Sequence, residues 1–556
     1  MTNTAECDRK TMIELSFKSY DIEASSKNEH HLFQAGALLK MIGRKRFVLD
    51  SDWLAIGKAL YNSARCDIVS KRNTEALHEA RQMWIDHSLE SKVRTEDECK
   101  ANWKLFGVNN HITIKTLAWF ARLDNEAIYE EWCKERCLVS LSTGISTGDV
   151  DCYQQVWLDF MYITKRKTWY QFNTSSHCWV EDINGMGFKK FISGPFIDRL
   201  MKIIGDKQKE VQRFQLLTEF NSHDEAYKTV CKQIRVANAI CDIIEKPIDC
   251  HKTRSKIGGV FEQLNELFRH QTFDELKDID GFLFGVRNGV IDMHNPGQAI
   301  FRPGRPEDFI TKCSEVSYNA SLDEKSESVT EVKKWFGQVF TDRSLRHYFQ
   351  RIIASYIKAG ADNKFPIWIG GGDNSKSLMK KFVDMILGSY CQILPEGIIT
   401  KGSNSGRGLL INTRLGFFQG IDSDRKIKCD IIKELTSGDD IYVKIRSKHV
   451  KIKPTFKITL MCNTPPKVPS ADERYKTRME LIPFSSTWVV DPPETEVEQY
   501  KQRRFKKDTA FGAKIPHLAE AGLWLIVNHW YPAYCKEGVS NQPDVVKGAT
   551  AGYWKR

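Results

Sequence analysis

The feature that most constrains the fold is a glycine-rich segment between residues 365 and 386. Phe365–Ile369 is rich in apolar residues and predicts a short buried strand. Gly370–Gly372 follow it, and Phe382, Val383 and Ile386 then recur at helical spacing. A strand, a glycine-rich turn and a helix in this order are typical of a phosphate-binding loop, because small residues let successive backbone amides point at phosphates. The segment therefore predicts an α/β nucleotide-binding domain, and the alternative is an ordinary glycine-rich turn.

The loop itself supplies the candidate nucleotide contacts. They are Gly370, Gly371, Gly372, Asp373, Asn374, Ser375, Lys376 and Ser377. Lys376 is predicted to contact the β- and γ-phosphates of ATP, and the Ser377 hydroxyl to coordinate Mg²⁺. The residue before such a lysine is normally glycine, and here it is Ser375, which disfavours a positive φ angle. The sequence therefore predicts a strained loop or a reduced nucleotide affinity.

Polar residues follow two further apolar segments. Leu415–Ile421 predicts a second buried strand, with Asp422 and Asp424 at its end, where a carboxylate could hold Mg²⁺ and polarise the attacking water. Phe456–Cys462 predicts a third strand, which ends at Asn463. A polar residue at this place could sense the γ-phosphate and position water. The alternative for all three side chains is a surface turn or a turn cap.

Two arginines lie further along the chain. Arg474 and Arg478 precede the apolar residues Ile482–Phe484. Either is a candidate arginine finger, which stabilises the charge that develops during phosphoryl transfer. A surface salt bridge is the alternative for each.

Residues 441–453 alternate apolar and basic side chains. This pattern predicts a β-hairpin with one basic face, and Ser447–His449 are placed at its tip. The candidate DNA contacts are Lys444, Arg446, Lys448, His449 and Lys451. A face of one sign suits a phosphate backbone, whereas a plain solvated hairpin more often mixes signs, so the pattern favours DNA binding.

Composition narrows the class of protein. Of the 556 residues, 41% are hydrophobic and 28% charged, which is the balance of a globular chain, and the net charge is +11. No segment approaches the roughly 18 consecutive apolar residues of a membrane helix, and the N-terminus lacks the apolar core of a secretory signal. The sequence therefore predicts an intracellular protein without a membrane partner. Basic residues are concentrated at 426–453 and 501–507, for which a solvated surface is the alternative.

In combination, these motifs resemble those of the superfamily 3 helicases, specifically the primase-helicases of large DNA viruses (poxvirus-like) and of phage and plasmid relatives. Further support comes from Leu283–Asp292, from Ile432–Asp439 and from Asn463 with its two following prolines. The resemblance covers about residues 148 to 538. The N-terminal segment, with Trp53, Trp84 and Trp103 among its residues, more loosely resembles the helical module that follows the primase domain in these proteins.

The resemblance implies an α/β P-loop ATPase (AAA+-like) domain with mainly α-helical N-terminal domains. The expected domains are a helical module at 1–140, a collar-type domain at 148–327, the ATPase domain at 328–540 and a C-terminal tail at 541–556. It further implies a hexameric ring that hydrolyses ATP with Mg²⁺ and moves along single-stranded or forked DNA. Arg478 of one subunit would then face the ATP of its neighbour. Expected partners are a primase or polymerase, at replication sites in the host cytoplasm or nucleus, and a primase domain is expected to be separate or upstream.

Two positions depart from the family pattern. One is Ser375. The family places a glutamate after the second strand, whereas the matching position here is near Gly420, so Asp422 takes that role only with a local shift. These departures keep a second hypothesis open, namely a non-hydrolysing replication-origin or scaffold protein with a degenerate nucleotide site. A P-loop nucleotide kinase is a third, but it explains neither the basic hairpin nor Arg478.

Overall fold

The structure is a computed structural model that describes most of the chain. The described residues are 29–65, 73–107, 112–133, 161–163, 168–218, 272–421, 424–445, 448–467 and 476–554, with short pieces between 228 and 269. They divide into two compact units. The first takes the described residues up to 172, those from 180 to 274 and residues 305–307, and the second takes 173–179, 275–304 and the described residues from 308 onward.

The first unit begins with helices, as the sequence predicts. They are α1 (Glu29–Leu39), α2 (Asp50–Arg65), α3 (Asn73–Glu90), α4 (Glu96–Leu105) and α5 (Ile114–Asp124). One face of α2 is apolar and buried, since Trp53, Ile56 and Leu60 are all buried. Trp53 stacks on Trp84 of α3 with a centroid distance of 4.9 Å. Beyond this bundle lie β1 (Met161–Ile163), β2 (Trp169–Asn173), β3 (Cys178–Asp182), α6 (Met186–Ser193), α7 (Pro195–Thr218) and α8 (Phe273–Leu276).

The second unit begins with a small antiparallel sheet and two helices. The sheet contains β4 (Leu283–Val286), β5 (Gly289–Asp292) and β6 (Ile300–Arg302). Val286 pairs with Gly289, so Asn288-Gly289 belongs to the turn of a hairpin, as is typical of this dipeptide. The helices α9 (Glu327–Val339) and α10 (Arg343–Ser355) follow.

A five-stranded parallel sheet forms the centre of the second unit. Its strands are β7 (Phe365–Ile369), β8 (Cys391–Ile393), β9 (Leu415–Gln419), β12 (Lys457–Cys462) and β13 (Met479–Pro483), in the spatial order β13-β7-β12-β9-β8. The connections contain α11 (Lys376–Leu387), α12 (Gly397–Lys401), α13 (Cys429–Thr436) and the antiparallel hairpin of β10 (Ile441–Ile445) and β11 (Lys448–Ile452). The three strands that the sequence predicts around polar residues are thus neighbours in one sheet.

The remaining chain returns to this sheet. It contains β14 (Thr487–Val489), α14 (Glu496–Gln502), β15 (Arg504–Lys506), α15 (Phe511–Leu525), α16 (Tyr531–Glu537) and α17 (Asp544–Trp554). Residues 541–556, predicted as a tail, are therefore helical over most of their length. Leu481 of β13 donates its amide to the buried Thr550 Oγ1 of α17 at 3.1 Å, so this helix belongs to the same unit as the sheet.

Apolar residues cover both faces of the parallel sheet. Along β7, Ile367 joins one buried cluster and Trp368 the other, as expected when side chains alternate across a strand. The first cluster takes side chains from α12, α13 and β10, and the second from α9, α10, α11 and α15. Among the described residues, no helix is both long enough and apolar enough to cross a bilayer.

Close packing between α11 and α15 depends on a glycine. A Cβ atom added at Gly522 would lie 2.2 Å from Cζ of Phe382, inside van der Waals contact. We expect Gly522→Ala to lower the free energy of unfolding by about 1–3 kcal/mol, because the two helices must move apart. The midpoint of urea-induced unfolding measures this effect.

Gly548 in α17 provides the matched control. A Cβ atom there meets nothing within 4 Å. We expect Gly548→Ala to stabilise the protein by about 0.5–1 kcal/mol, because alanine is the better helix former. An unchanged midpoint in Gly522→Ala would contradict the described packing of α11 on α15.

Candidate nucleotide-binding site

The glycine-rich loop lies at the carboxyl end of β7, which pairs with β13 on one side and β12 on the other. In open sheets of this kind, ligands bind in the crevice beyond the carboxyl ends of the strands. A cavity of about 650 Å³ lies here. It is lined by residues 371–378, by Gly420 and Ile421 after β9, and by residues 461–464 at the end of β12. Its volume falls within the usual range for small-molecule sites, about 300–1,000 Å³.

The buried side chain of Asn374 anchors the glycine-rich loop to the residue that follows β13. Asn374 is buried, and its Nδ2 donates to the carbonyl of Phe484 just beyond β13. Gly370 has a φ angle of 156°, and a Cβ atom there would lie 2.2 Å from Asn374 Nδ2. Position 370 therefore requires glycine because the chain turns tightly around the amide of Asn374.

Lys376 is the buried cation of the site. Its Nζ donates to the carbonyls of Gly370 and Gly371 at 2.5 and 2.9 Å and to Asn374 Oδ1 at 3.2 Å. Burial lowers the pKa of this ammonium group. Burial also raises the pKa of the neighbouring Cys462 thiol to about 12, so this thiol stays neutral near pH 7. None of the contacts described for Lys376 Nζ is with a carboxylate, so no ion pair neutralises its positive charge among these contacts.

Two residues of the loop adopt left-handed backbone conformations. Ser375 has φ 63° and Asp373 has φ 50°. The expectation that Ser375 occupies a glycine-like position is therefore confirmed. Such a conformation costs a non-glycine residue about 1–2 kcal/mol. The Ser375 side chain makes no capping hydrogen bond at the start of α11 to offset this cost.

The predicted acidic residues lie in different places. Asp422 is outside the described residues. Asp424 is at the surface, where its carboxylate accepts from Lys467 Nζ at 3.1 Å, and it does not line the cavity. Gly420, near which the predicted resemblance places a glutamate, does line it. Within the described part of the chain, no group of three or more His, Cys, Asp or Glu side chains could hold a metal ion. Of the two predicted Mg²⁺ ligands, Ser377 lines the cavity, and Asp422 stays a prediction because it lies outside the described residues.

Asn463 lies where the sequence places it. It follows β12, the immediate neighbour of β7, and lines the cavity with Thr464. The structure therefore brings Asn463, Lys376 and Ser377 to one cavity. Its role in sensing a phosphate stays a prediction.

Arg478 lies at the opposite end of the sheet. It precedes β13, and its carbonyl accepts from the amide of Phe365, the first residue of β7. The glycine-rich loop follows the last residue of β7. The five residues of β7 span about 16 Å, and this length separates the loop from Arg478. The Arg478 guanidinium donates to Asn363 Oδ1 at 3.0 Å and to Thr436 Oγ1 at 2.8 Å, which are neutral partners rather than a salt bridge. Arg474 lies outside the described residues.

The predicted basic hairpin is present. Lys444 of β10 faces His449 of β11, and Tyr442 faces Lys451. All four side chains are exposed, whereas the alternate residues of β10, Ile441 and Val443, are buried. One face of the hairpin therefore gathers three of the predicted DNA contacts.

The remaining hairpin predictions have separate outcomes. Arg446 lies outside the described residues, and of Lys448 only the backbone is described. The placement of Lys448 and His449 at the tip is wrong, because strand pairing continues to Ile445 opposite Lys448 and both residues lie in β11. Lys451 Nζ donates to Asp440 at 2.9 Å, and this hydrogen bond raises the pKa of Lys451.

Tyr442 is the residue that the sequence interpretation missed. It is 59% exposed, although it is a large aromatic side chain, and it shares the basic face with Lys444. The same alternation that identifies Lys444 places Tyr442 two residues earlier on that face. An exposed aromatic ring beside cations is the arrangement on which single-stranded bases stack.

Two family descriptions match the chain. "Primase C terminal 2 (PriCT-2)" matches residues 35–121, and "D5 N terminal like" matches residues 151–341. "Putative helicase 121R" of Invertebrate iridescent virus 3 is 25% identical over 93% of this chain and 58% of its own length. "Putative helicase 184R" of Invertebrate iridescent virus 6 is 23% identical over 86% of this chain and 53% of its own length. The chain resembles the D5-type primase-helicases of large DNA viruses.

The predicted resemblance to the primase-helicases of large DNA viruses is therefore confirmed. The chain spans somewhat more than half the length of the two relatives. A solved structure, the "apo structure of NrS-1 C terminal region", is 13% identical and covers 50% of this chain and 70% of its own. Its TM-score is 0.32, which is too low for an inference about the fold of this chain.

The left-handed backbone of Ser375 gives a test of the loop geometry. We expect Ser375→Gly to raise the free energy of unfolding by up to about 1 kcal/mol, because glycine adopts this conformation without a steric cost. Ser377 lies two residues on, inside α11. Ser377→Gly should instead destabilise by about 0.5–1 kcal/mol, since glycine weakens a helix. Equal urea midpoints for the two variants would show that Ser375 does not hold a left-handed conformation.

Proposed function

We propose that this chain is an ATP-dependent DNA helicase for the replication of viral or mobile-element DNA, built on an α/β P-loop ATPase (AAA+-like) domain. One observation carries the proposal. A single cavity at the carboxyl ends of parallel strands gathers the glycine-rich loop with its buried lysine, the first turn of α11 and Asn463. This combination suits a bound nucleoside triphosphate, because loop amides, a helix N-terminus and a cation all face the phosphates.

The described residues suit ATP, and one of the proposed Mg²⁺ ligands, Ser377, lines the cavity. Lys376 Nζ would exchange one of its loop carbonyl acceptors for a phosphate oxygen, because an ammonium group has three donors in all. Ser377 and Asp422 would hold Mg²⁺, which supplies charge neutralisation at the phosphates when bound. Asn463 would orient the attacking water from the end of β12.

Arg478 supports a ring of subunits. It lies at the far end of the sheet from the cavity of its own subunit, so it can serve as an arginine finger only toward another copy. Heterologous contacts that close through rotation generate a ring, and we propose a hexamer. Hydrolysis would then move the hairpin of β10 and β11 and draw single-stranded DNA through the ring.

The hairpin supplies the proposed DNA contacts. Lys444 would neutralise a phosphate, His449 would form a hydrogen bond with the DNA backbone, and Tyr442 would stack on a base. Arg446, Lys448 and Lys451 complete the proposed set. The partners would be single-stranded or forked DNA and a primase or polymerase.

ATP hydrolysis tests the nucleotide site. We expect purified wild-type protein to hydrolyse ATP, and single-stranded DNA to stimulate it. Lys376→Ala should lower kcat by about 100-fold or more, because it removes the charge that stabilises the transferring phosphoryl group. The measurement is phosphate release with and without DNA.

Lys381→Ala is the matched control. Lys381 lies in the same helix, but its Nζ donates to the carbonyl of Gly512 and it does not line the cavity. The Lys381→Ala variant should hydrolyse ATP at the wild-type rate. Hydrolysis that DNA leaves unchanged in the wild type would refute a motor that couples ATP to DNA.

Binding of single-stranded DNA tests the hairpin. Lys444→Ala and Tyr442→Ala should each weaken binding by about 5–20-fold, because one loses a phosphate contact and the other a stacked base. Only Lys444→Ala should reduce the salt dependence of binding, since it alone removes a cation. Fluorescence anisotropy of a labelled oligonucleotide across a salt series measures both effects.

Lys451→Ala is the comparison within the same face. Lys451 already pairs with Asp440, so its loss should weaken binding less than the loss of Lys444. Equal DNA affinity in the wild type and in Lys444→Ala would remove the hairpin from the proposed DNA path.

A non-hydrolysing replication-origin or scaffold protein is the second candidate. Two observations favour it, namely the left-handed Ser375 and the glycine at position 420 on the wall of the cavity. It predicts nucleotide-dependent assembly with no phosphate release in either the wild type or Lys376→Ala.

A further inference from the structure

The basic segment 501–507 has no role in the function proposed above. It comprises the end of α14, Arg503 after that helix, β15 and the residue after that strand. Lys501, Arg503, Arg504, Lys506 and Lys507 are all exposed. Among the contacts described for them, one reaches the candidate nucleotide site.

That contact joins Lys507 to the glycine-rich loop. Lys507 Nζ donates to Asp373 Oδ1 at 2.9 Å, across 134 positions of sequence. The carbonyl of the same Asp373 accepts from the amide of Trp488 in β14 at 2.9 Å. The strand pair of β14 and β15 therefore fixes both the backbone and the side chain of the loop residue whose φ angle is 50°.

The strand pair is itself well anchored. Phe505, at the centre of β15, is buried, and its ring lies 5.8 Å from Trp488 and 5.1 Å from Tyr500. The amide of Lys507 extends the pairing by donating to the carbonyl of Val489 at 2.9 Å. The backbone of Lys507 is thus held beside the loop, and only its side chain remains to be oriented.

Asp373 poses an electrostatic problem for the proposed ligand. It lines the cavity, and a carboxylate in a phosphate-binding loop repels the negative charge of a nucleoside triphosphate. The cation described in contact with it is Lys507. Since both side chains are partly exposed, the stability that their pairing contributes is small. The pairing matters more for the binding of an anionic ligand than for stability, because it changes the local charge from negative to neutral.

We infer that Lys507 is a positioning residue of the nucleotide site, which neutralises Asp373 and turns its carboxylate away from the phosphates of a bound nucleoside triphosphate. The inference rests on the proposed function, since it concerns the same cavity. It assigns Lys507 an action through Asp373 rather than a contact with the nucleotide.

The test measures binding of a fluorescent ATP analogue to the full chain at low salt. Lys507→Ala should weaken binding by about fivefold, and the loss should shrink at high salt because partly exposed charges are screened. Lys507→Arg should bind as the wild type does, since it keeps the cation. The double variant Asp373→Asn/Lys507→Ala should recover wild-type affinity, because it removes the carboxylate that Lys507 neutralises.

Lys506→Ala is the control for a general change of charge. Lys506 is the preceding residue, carries the same charge and is exposed, and it does not line the cavity. Equal weakening in Lys506→Ala and Lys507→Ala would overturn the inference, because it would show only the field of the whole segment. A double variant that binds no better than Lys507→Ala would overturn it as well, since Asp373 would not be the cause.

Failure of the proposed function has a different signature. If the wild-type chain does not bind the analogue, the proposed nucleotide site is wrong and the inference fails with it. If the wild type and Lys507→Ala bind equally well, the nucleotide site stands and only the role of Lys507 is overturned.

Discussion

The pairing of β7 between β12 and β13 is the constraint on which the site depends. Ile367 lies opposite Leu460 on one side and Leu481 on the other, so the register of three strands is set around one residue. A slip by one residue would move the loop by about 3.3 Å. It would also exchange the faces on which Ile367 and Trp368 pack, although each fits a different buried cluster. The common cavity exists because β7, β12 and β9 run in the same direction and end at the same edge.

A buried carboxylate makes such a slip costly. Glu480 of β13 is fully buried, and its oxygens lie 2.5 Å from Lys364 Nζ, 2.6 Å from Gln542 Nε2 and 2.5 Å from the Tyr348 hydroxyl. Removing a buried charge from its partners costs about 3–5 kcal/mol. The register that satisfies Glu480 is the same one that places Phe484 beside Asn374 and so closes the loop.

Local patterns predict much of this arrangement, and distant contacts set the rest. The strand, loop and helix around Lys376 follow from adjacent residues, as does the basic face of the hairpin. The position of Arg478 depends on the direction and register of β13. The residues next to Arg478 in the sequence predict neither of them. The pairs Asp424–Lys467 and Asp373–Lys507 join positions 43 and 134 residues apart, so a carboxylate near a predicted strand end gave no sign of its partner.

The direction of the strands also limits how hydrolysis can work in the proposed helicase. Lys376 and Arg478 lie at opposite ends of neighbouring strands, so no side-chain rotation can bring both to one phosphate. In the proposed helicase, Arg478 would reach this cavity from a second copy that has the amino end of its sheet beside it. On this proposal assembly and hydrolysis would be one requirement rather than two, because an isolated subunit would hold the phosphates with Lys376 and still lack the charge of Arg478 in the transition state.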